Sequence, residues 1–160
     1  MTRIEAQLAE LGYTLPETAA PAGAYVPAVR AGEFVYTSGQ LPLVSGELAA
    51  KGKLGAEVDL ETGYAVARIA ALNALAAVKS VIGDLDEVEQ VVKVVGFVNS
   101  TPDFTAQPKV INGASEFLHE VFGQRGAHAR SAVGVAALPM NTPVEVELVV
   151  KVRALSVPSS

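Results

Sequence analysis

The chain has 160 residues, of which 50% are hydrophobic and 18% are charged, and its formal net charge is −5. This length suits one domain, and the apolar content excludes a disordered chain. Because the sequence has no cysteine and only two histidines, it excludes disulfides, thiolate chemistry and cysteine-ligated metals, and it disfavours a multi-histidine metal site.

A mean hydropathy of +0.34 is high for a small soluble monomer and indicates either an oligomer or a membrane protein. Arg68, Asn73 and Lys79 interrupt the longest apolar segment, so we expect no segment of the roughly 20 apolar residues that cross a bilayer. Residues 1–10 are acidic and amphipathic and lack a secretory signal pattern. We therefore expect a soluble, cytoplasmic oligomer with no membrane partner.

The lysines and arginines are scattered along an acidic chain with a pI near 5.0. A surface that binds nucleic acid needs clustered positive charge. The sequence therefore disfavours nucleic acid as a main partner.

In the N-terminal third, Thr2 and Glu5 form a capping-box pattern that predicts a short helix over residues 2–11. Prolines and glycines between residues 16 and 27 predict an extended or looping segment. A strand follows at Phe34–Ser38, and residues 41–55 are interpreted as a hairpin or a long loop.

The rest of the chain alternates helices and strands. Apolar periodicity and bounding glycines or prolines predict helices at 61–82 and 110–122 and strands at 88–98, 129–138 and 144–152. This order indicates an α+β fold, with two main helices packed on one face of a mixed β-sheet. The opposite face carries apolar residues, so we expect a second copy of the chain to cover it. We expect one domain over 1–160, with its core at about 23–153.

Glu145 and Glu147 alternate with apolar residues in the last predicted strand, so they share one face. One interpretation is the solvated face of an edge strand. The other is that one carboxylate faces a cleft and acts as an acid or base.

Arg130 begins a strand of small residues, which would leave space for a ligand. It is either a surface arginine or a guanidinium fork that holds a carboxylate. The turn at 139–143 predicts that the strands of Arg130 and Glu145 are antiparallel neighbours, so both residues could serve one small acid. His128, two residues before Arg130, is a candidate to support such a site indirectly, whereas His119 receives no role.

Gly39 follows Thr37 and Ser38 at the end of the first predicted strand. This segment is either a turn with hydroxyl caps or a place where the backbone approaches a ligand closely, since glycine has no side chain to block it. Tyr25 lies in a segment rich in proline and glycine, and it is either a core anchor or a lid over the site.

Two separated blocks resemble the signatures of one family. Residues 23–25 (Gly-Ala-Tyr) with 34–42 (Phe-Val-Tyr-Thr-Ser-Gly-Gln-Leu-Pro) resemble the first block of the RidA/YjgF/UK114 family. Residues 129–135 (Ala-Arg-Ser-Ala-Val-Gly-Val), with Leu-Pro at 138–139 and Val-Glu-Val-Glu at 144–147, resemble its C-terminal block.

The resemblance implies a chorismate-mutase-like fold and a homotrimer with ligand clefts between subunits. It also implies an enzyme without a cofactor or metal, which hydrolyses 2-imino or enamine acids such as 2-iminobutanoate to 2-oxo acids and ammonia. In that case Arg130 binds the substrate carboxylate and Glu145 positions or activates water. The other residues that match the family's cleft are Tyr25, Gly39, Asn112 and Ala132, the last where relatives often have cysteine.

Two other functions fit the same resemblance. One is a non-catalytic trimer that binds small carboxylates at Arg130. The other is an endoribonuclease or translation inhibitor, which the acidic pI and the absence of a basic cluster disfavour.

Overall fold

The computed structural model describes residues 2–18, 20–21 and 23–154. Within these ranges the chain forms three α-helices and seven β-strands. The helices are α1 (Arg3–Glu10), α2 (Leu60–Ile82) and α3 (Gln107–Phe122), and the strands are β1 (Ala28–Ala31), β2 (Phe34–Thr37), β3 (Leu43–Val44), β4 (Glu47–Leu48), β5 (Val88–Asn99), β6 (Ala129–Val135) and β7 (Val144–Val152).

Five strands form a mixed sheet in the order β1-β2-β7-β5-β6, and β3 and β4 form a small separate hairpin. All neighbours in the large sheet are antiparallel except β5 and β6, which are parallel. The two long helices α2 and α3 contact each other and pack on one face of the sheet. The predicted α+β architecture, with two main helices on one face of a mixed sheet, is confirmed.

The position of β7 differs from the prediction. It lies between β2 and β5, so it is not an edge strand, and β5 separates it from β6. The chain leaves β5, forms α3 and returns as β6, and such a connection through a helix places the two strands parallel and adjacent. The predicted antiparallel pairing of the Arg130 and Glu145 strands is therefore wrong.

Strand β1 follows the segment at 16–27 and was not predicted from the sequence. It pairs with β2 across a two-residue connection, from Ala31 to Phe34. Gly32 in this connection has φ +61°, which glycine adopts at little cost, and two-residue hairpin turns need such a residue.

Helix α2 is the apolar centre of the fold. It begins after Asp59, whose carboxylate accepts from the Thr62 backbone N–H at 2.8 Å, and it ends at Gly83 with φ +81°. Contrary to the expectation above, α2 is long and apolar enough to qualify as a membrane span by length and composition alone. However, residues 70–78 are all buried inside the protein, which is typical of a core helix.

The short helix α1 is fixed to the core by an acidic residue from a distant segment. The Asp86 carboxylate accepts from the backbone N–H groups of Arg3 at 3.0 Å and Ile4 at 2.8 Å. These are N–H groups that the first turn of a helix leaves without an internal partner. Ile4 and Leu8 are buried against the core, so the predicted N-terminal helix is an integral part of the fold.

The face of the sheet opposite the helices is open in the single chain. Along β2, Val35 and Thr37 are buried under the helices, whereas Phe34 and Tyr36 are exposed on the other side. Val133 on β6 is also exposed. Aromatic and branched side chains at the surface of a sheet are typical of an interface.

Candidate functional site

Arg130 lies on the edge strand β6 and faces α3. Its Nη1 donates to Asn112 Oδ1 at 2.8 Å and to Ser115 Oγ at 3.2 Å. Ala132, two residues along β6, is on the same side and packs against the core. The structure therefore brings together three of the residues named from the sequence: Arg130, Asn112 and Ala132.

The hydrogen bonds of Arg130 leave one edge of its guanidinium unoccupied. Both Nη1 hydrogens are directed to α3, and among the described residues no acceptor contacts Nε or Nη2 and no carboxylate pairs with Arg130. Two adjacent N–H groups in a plane match the geometry of a carboxylate, which they can bind through both oxygens.

Behind Arg130, Ser115 contacts His128. His128 Nδ1 lies 2.6 Å from the carbonyl oxygen of Gly126, so Nδ1 carries a hydrogen and donates it. His128 Nε2 lies 2.8 Å from Ser115 Oγ. Burial, with the nearby His119 ring and the charge of Arg130, lowers the pKa of His128, so its imidazole is neutral at pH 7. Ser115 consequently donates to Nε2 while its oxygen accepts from Arg130.

Ser115 was not identified from the sequence. It follows Asn112 by three residues on a predicted helix, and residues with this spacing share one face. That spacing was the available signal.

Glu145 lies on the other face of the sheet and contacts Gly39. A Cβ atom built on Gly39 would stand 2.9 Å from Glu145 Cγ and 2.7 Å from its Cδ, closer than carbon atoms pack. The group that approaches Gly39 closely is the Glu145 side chain, and the predicted close approach of Gly39 to a ligand stays a prediction.

The interruption of the β2–β7 pairing explains this contact. Thr37 Oγ1, instead of a backbone carbonyl, accepts from the Leu148 N–H at 2.9 Å, and backbone pairing resumes between Gln40 and Val146. The intervening segment leaves the regular ladder and passes over β7. Gly39 therefore lies against Glu145.

The environment of Glu145 suits a base. Burial raises its pKa, and the negative charge of Glu147 raises it further. The predicted shared face of Glu145 and Glu147 is confirmed by the register, in which they oppose Phe97 and Val95 of β5. A carboxylate with a raised pKa holds a proton more tightly and is a stronger general base.

Tyr25 lies beside Gly39. Ser38 Oγ donates to the Val26 carbonyl at 2.6 Å and the Ser38 N–H donates to the Pro27 carbonyl at 2.8 Å, which fixes the Tyr25 segment to the end of β2. Tyr25 and Gly39 line a cavity of about 260 Å³ together with Leu41, Leu43 and Met140. Tyr25 is 50% exposed, so the core-anchor interpretation is wrong.

The Arg130 and Glu145 clusters are separate within one chain. Arg130 pairs in register with Val94 of β5, whereas Glu145 pairs with Phe97, and they point to opposite faces of the sheet. Two strand spacings and three residues along the strands put their Cα atoms about 14 Å apart. One small ligand cannot contact both residues of the same chain.

Four ion pairs join other charged side chains of the described chain. The ion pairs are Arg68–Glu120, Lys79–Glu5, Lys151–Glu89 and Arg153–Glu87. Over the same described ranges, no group of three or more histidines, aspartates and glutamates is placed to hold a metal ion.

The chain is similar to proteins of known sequence and structure. Residues 5–152 match the family model described as "YjgF/chorismate_mutase-like, putative endoribonuclease". Protein TCP17 of Trypanosoma cruzi is 46% identical over 152 residues, which cover 94% of this chain and 95% of TCP17.

Solved structures are also similar to this chain. The crystal structure of Atu1372, a protein of unknown function from Agrobacterium tumefaciens, is 45% identical with a TM-score of 0.89 and covers 94% of this chain and 93% of its own. The structure of E. coli TdcF with bound serine is 27% identical with a TM-score of 0.62 and covers 89% of this chain and 97% of its own. The chain therefore belongs to the YjgF (RidA) family of chorismate-mutase-like proteins.

Proposed function

We propose that this protein is a homotrimeric deaminase that hydrolyses 2-imino or enamine acids, such as 2-iminobutanoate, to 2-oxo acids and ammonia. The observation that carries the proposal is the division of two complementary clusters between opposite faces of the sheet. One cluster offers a guanidinium edge without a partner in the described chain, and the other offers a half-buried carboxylate with a raised pKa.

The Arg130 cluster binds the substrate carboxylate. The Nε–Nη2 edge takes both carboxylate oxygens, while Asn112 and Ser115 hold the opposite side of the guanidinium. Ala132 provides a small apolar wall beside it. These contacts fix the orientation of the imine carbon, which is bonded directly to the carboxylate.

Glu145 supplies the proton transfers. Its carboxylate removes a proton from water as the water oxygen bonds to the imine carbon and the C=N bond becomes single. It then returns that proton to the nitrogen, which gives an amino alcohol. In a second transfer the carboxylate removes the proton of the new hydroxyl group as the C=O bond forms and gives it to the nitrogen, which leaves as ammonia. The sum is imino acid plus water giving 2-oxo acid plus ammonia. An imine carbon is already electrophilic, so positioning and one base suffice.

The two clusters work together when they come from neighbouring subunits. The open face of the sheet, with Phe34, Tyr36 and Val133 exposed, is a suitable surface for a second copy. A cleft at that interface would face Glu145, Gly39 and Tyr25 of one subunit and Arg130 of the next. The serine bound to E. coli TdcF is a small molecule with a carboxylate, which supports a ligand of this class.

The experiment generates 2-aminoacrylate or 2-iminobutanoate in solution with a pyridoxal-phosphate dehydratase and follows the 2-oxo acid in a coupled assay. We expect wild-type protein to accelerate hydrolysis. Arg130→Ala should lose at least about 100-fold in kcat/KM, because it removes the charged hydrogen bonds between the guanidinium and the substrate carboxylate. Arg153→Ala, at an exposed arginine outside both clusters, is the matched control and keeps the wild-type rate. A wild-type rate no faster than buffer across several imino acids would exclude this function.

A second candidate is a non-catalytic oligomer that binds small carboxylates. The free guanidinium edge favours it, since that edge alone can bind an acid. It predicts that Arg130→Ala abolishes binding of a 2-oxo acid while Glu145→Gln changes no rate. The deaminase proposal predicts that Glu145→Gln retains binding and loses turnover.

A further inference from the structure

Arg130, Ser115 and His128 form a directed chain of hydrogen bonds. Arg130 Nη1 donates to Ser115 Oγ, the Ser115 hydroxyl donates to His128 Nε2, and His128 Nδ1 donates to the Gly126 carbonyl. A serine within a helix usually donates back to a carbonyl of the preceding turn. No such bond is among the contacts of Ser115 in the described part of the chain, because its hydrogen is directed to the imidazole.

The direction of this chain determines how Arg130 is held. A hydroxyl can rotate, and a hydrogen pointing at the guanidinium would repel it. The neutral imidazole accepts that hydrogen, so the oxygen lone pairs remain directed at Nη1. With Asn112 Oδ1 at 2.8 Å as the second acceptor, both Nη1 hydrogens are fixed.

We propose that Ser115 and His128 are positioning residues for Arg130, which lock its Nη1 side so that the Nε–Nη2 edge is presented to the ligand carboxylate. This inference rests on the proposed function only in taking a carboxylate as the ligand. It assigns roles to a serine and a histidine that do not themselves touch the ligand.

The same chain couples the charge of Arg130 to the titration of His128. The groups that face its ring are the Arg130 guanidinium from β6, the His119 ring from α3 at 5.6 Å between centroids, the Ser115 hydroxyl from α3 and the Gly126 carbonyl from the preceding turn. The charge of Arg130 disfavours the charged imidazole, so replacing Arg130 with an uncharged residue should raise the pKa of His128.

The test is an NMR titration of His128 in the full-length protein, with 2-oxobutanoate as the probe. We expect the Nδ1–H tautomer and a higher His128 pKa in Arg130→Gln than in wild type. Ser115→Ala should bind 2-oxobutanoate about 2- to 10-fold more weakly, the effect of one lost hydrogen bond. Ser115→Thr should restore affinity, and His119→Gln should leave it unchanged.

Three results would overturn the inference. They are an Nε2–H tautomer at His128, a His128 pKa that is the same in wild type and Arg130→Gln, or wild-type affinity in a folded Ser115→Ala protein. The measurement of the His128 tautomer and the comparison of its pKa between wild type and Arg130→Gln can be made without a ligand and without enzymatic activity. If the protein fails to hydrolyse imines yet shows these couplings, the proposed function fails and the positioning role stands.

Discussion

Gly39→Ala should lower catalytic activity strongly while lowering stability only slightly. The new Cβ would lie 2.9 Å from Glu145 Cγ and 2.7 Å from Cδ. Carbon atoms pack at about 3.5–4.0 Å, so the carboxylate must move by about 1 Å. A displacement of about 1 Å from the reacting position costs on the order of 100-fold in rate, and we expect that loss in kcat/KM.

The stability cost should be small because only the end of a flexible side chain moves. A non-ideal rotamer costs about 0.5–1.5 kcal/mol, which lowers Tm by a few degrees for a chain of this length. Gly113→Ala is the contrasting variant. Its Cβ would stand 2.9 Å from the carbonyl carbon of Tyr64, so the backbones of α2 and α3 would have to separate. We expect Gly113→Ala to lose about 1–3 kcal/mol or more.

Steady-state imine hydrolysis and thermal unfolding measure the two effects. If Gly39 acts through Glu145, adding Gly39→Ala to Glu145→Gln should cause no further loss of activity. Activity of Gly39→Ala within threefold of wild type would refute this reasoning. The same full loss in the Glu145→Gln background would also refute it.

Three further predictions concern charge. Arg130→Lys should lose about 30-fold or more in kcat/KM, since an ammonium cannot bind both carboxylate oxygens in a plane. Wild-type kinetics would contradict the binding of both carboxylate oxygens by the Arg130 guanidinium. Activity should fall as pH decreases through the pKa of Glu145, which lies above its ordinary value of 4.5. Glu147→Gln removes a neighbouring negative charge, so it should shift this acidic side of the kcat/KM–pH profile to lower pH. An unchanged profile would contradict the effect of Glu147 on Glu145. Asp86→Asn should cost about 1 kcal/mol by weakening the cap of α1, seen as a Tm lower by about 2–4 °C with unchanged kcat; an unchanged Tm would show that the cap contributes nothing.

Local patterns in the sequence predicted most elements. The capping residue Thr2 and the apolar periodicity of α2 and α3 are local signals, and the structure contains these helices close to their expected bounds. Strand β1 was missed because its four residues lie between Pro27 and Gly32, and proline and glycine are typical of loops and turns. The two-residue hairpin at Gly32 was the signal that could have revealed it.

The pairing of the strands could not be read from the short turn before β7. A short connection favours a hairpin, but α3 returns β6 to the side of β5, and β7 then occupies the place between β5 and β2. The residue types at Arg130 and Glu145 indicated carboxylate binding and base chemistry without this topology. Their separation on opposite faces follows only from the register.

In the proposed enzyme, one site combines Arg130 of one subunit with Glu145 of another. The direct test mixes equal amounts of Arg130→Ala and Glu145→Gln protein under conditions that exchange subunits. Each variant alone should be inactive, while random mixing restores about one quarter of the clefts, because a cleft is intact only where each side supplies its wild-type residue. Recovery of about one quarter of wild-type activity is the predicted result, and no recovery in demonstrably mixed oligomers would contradict the account.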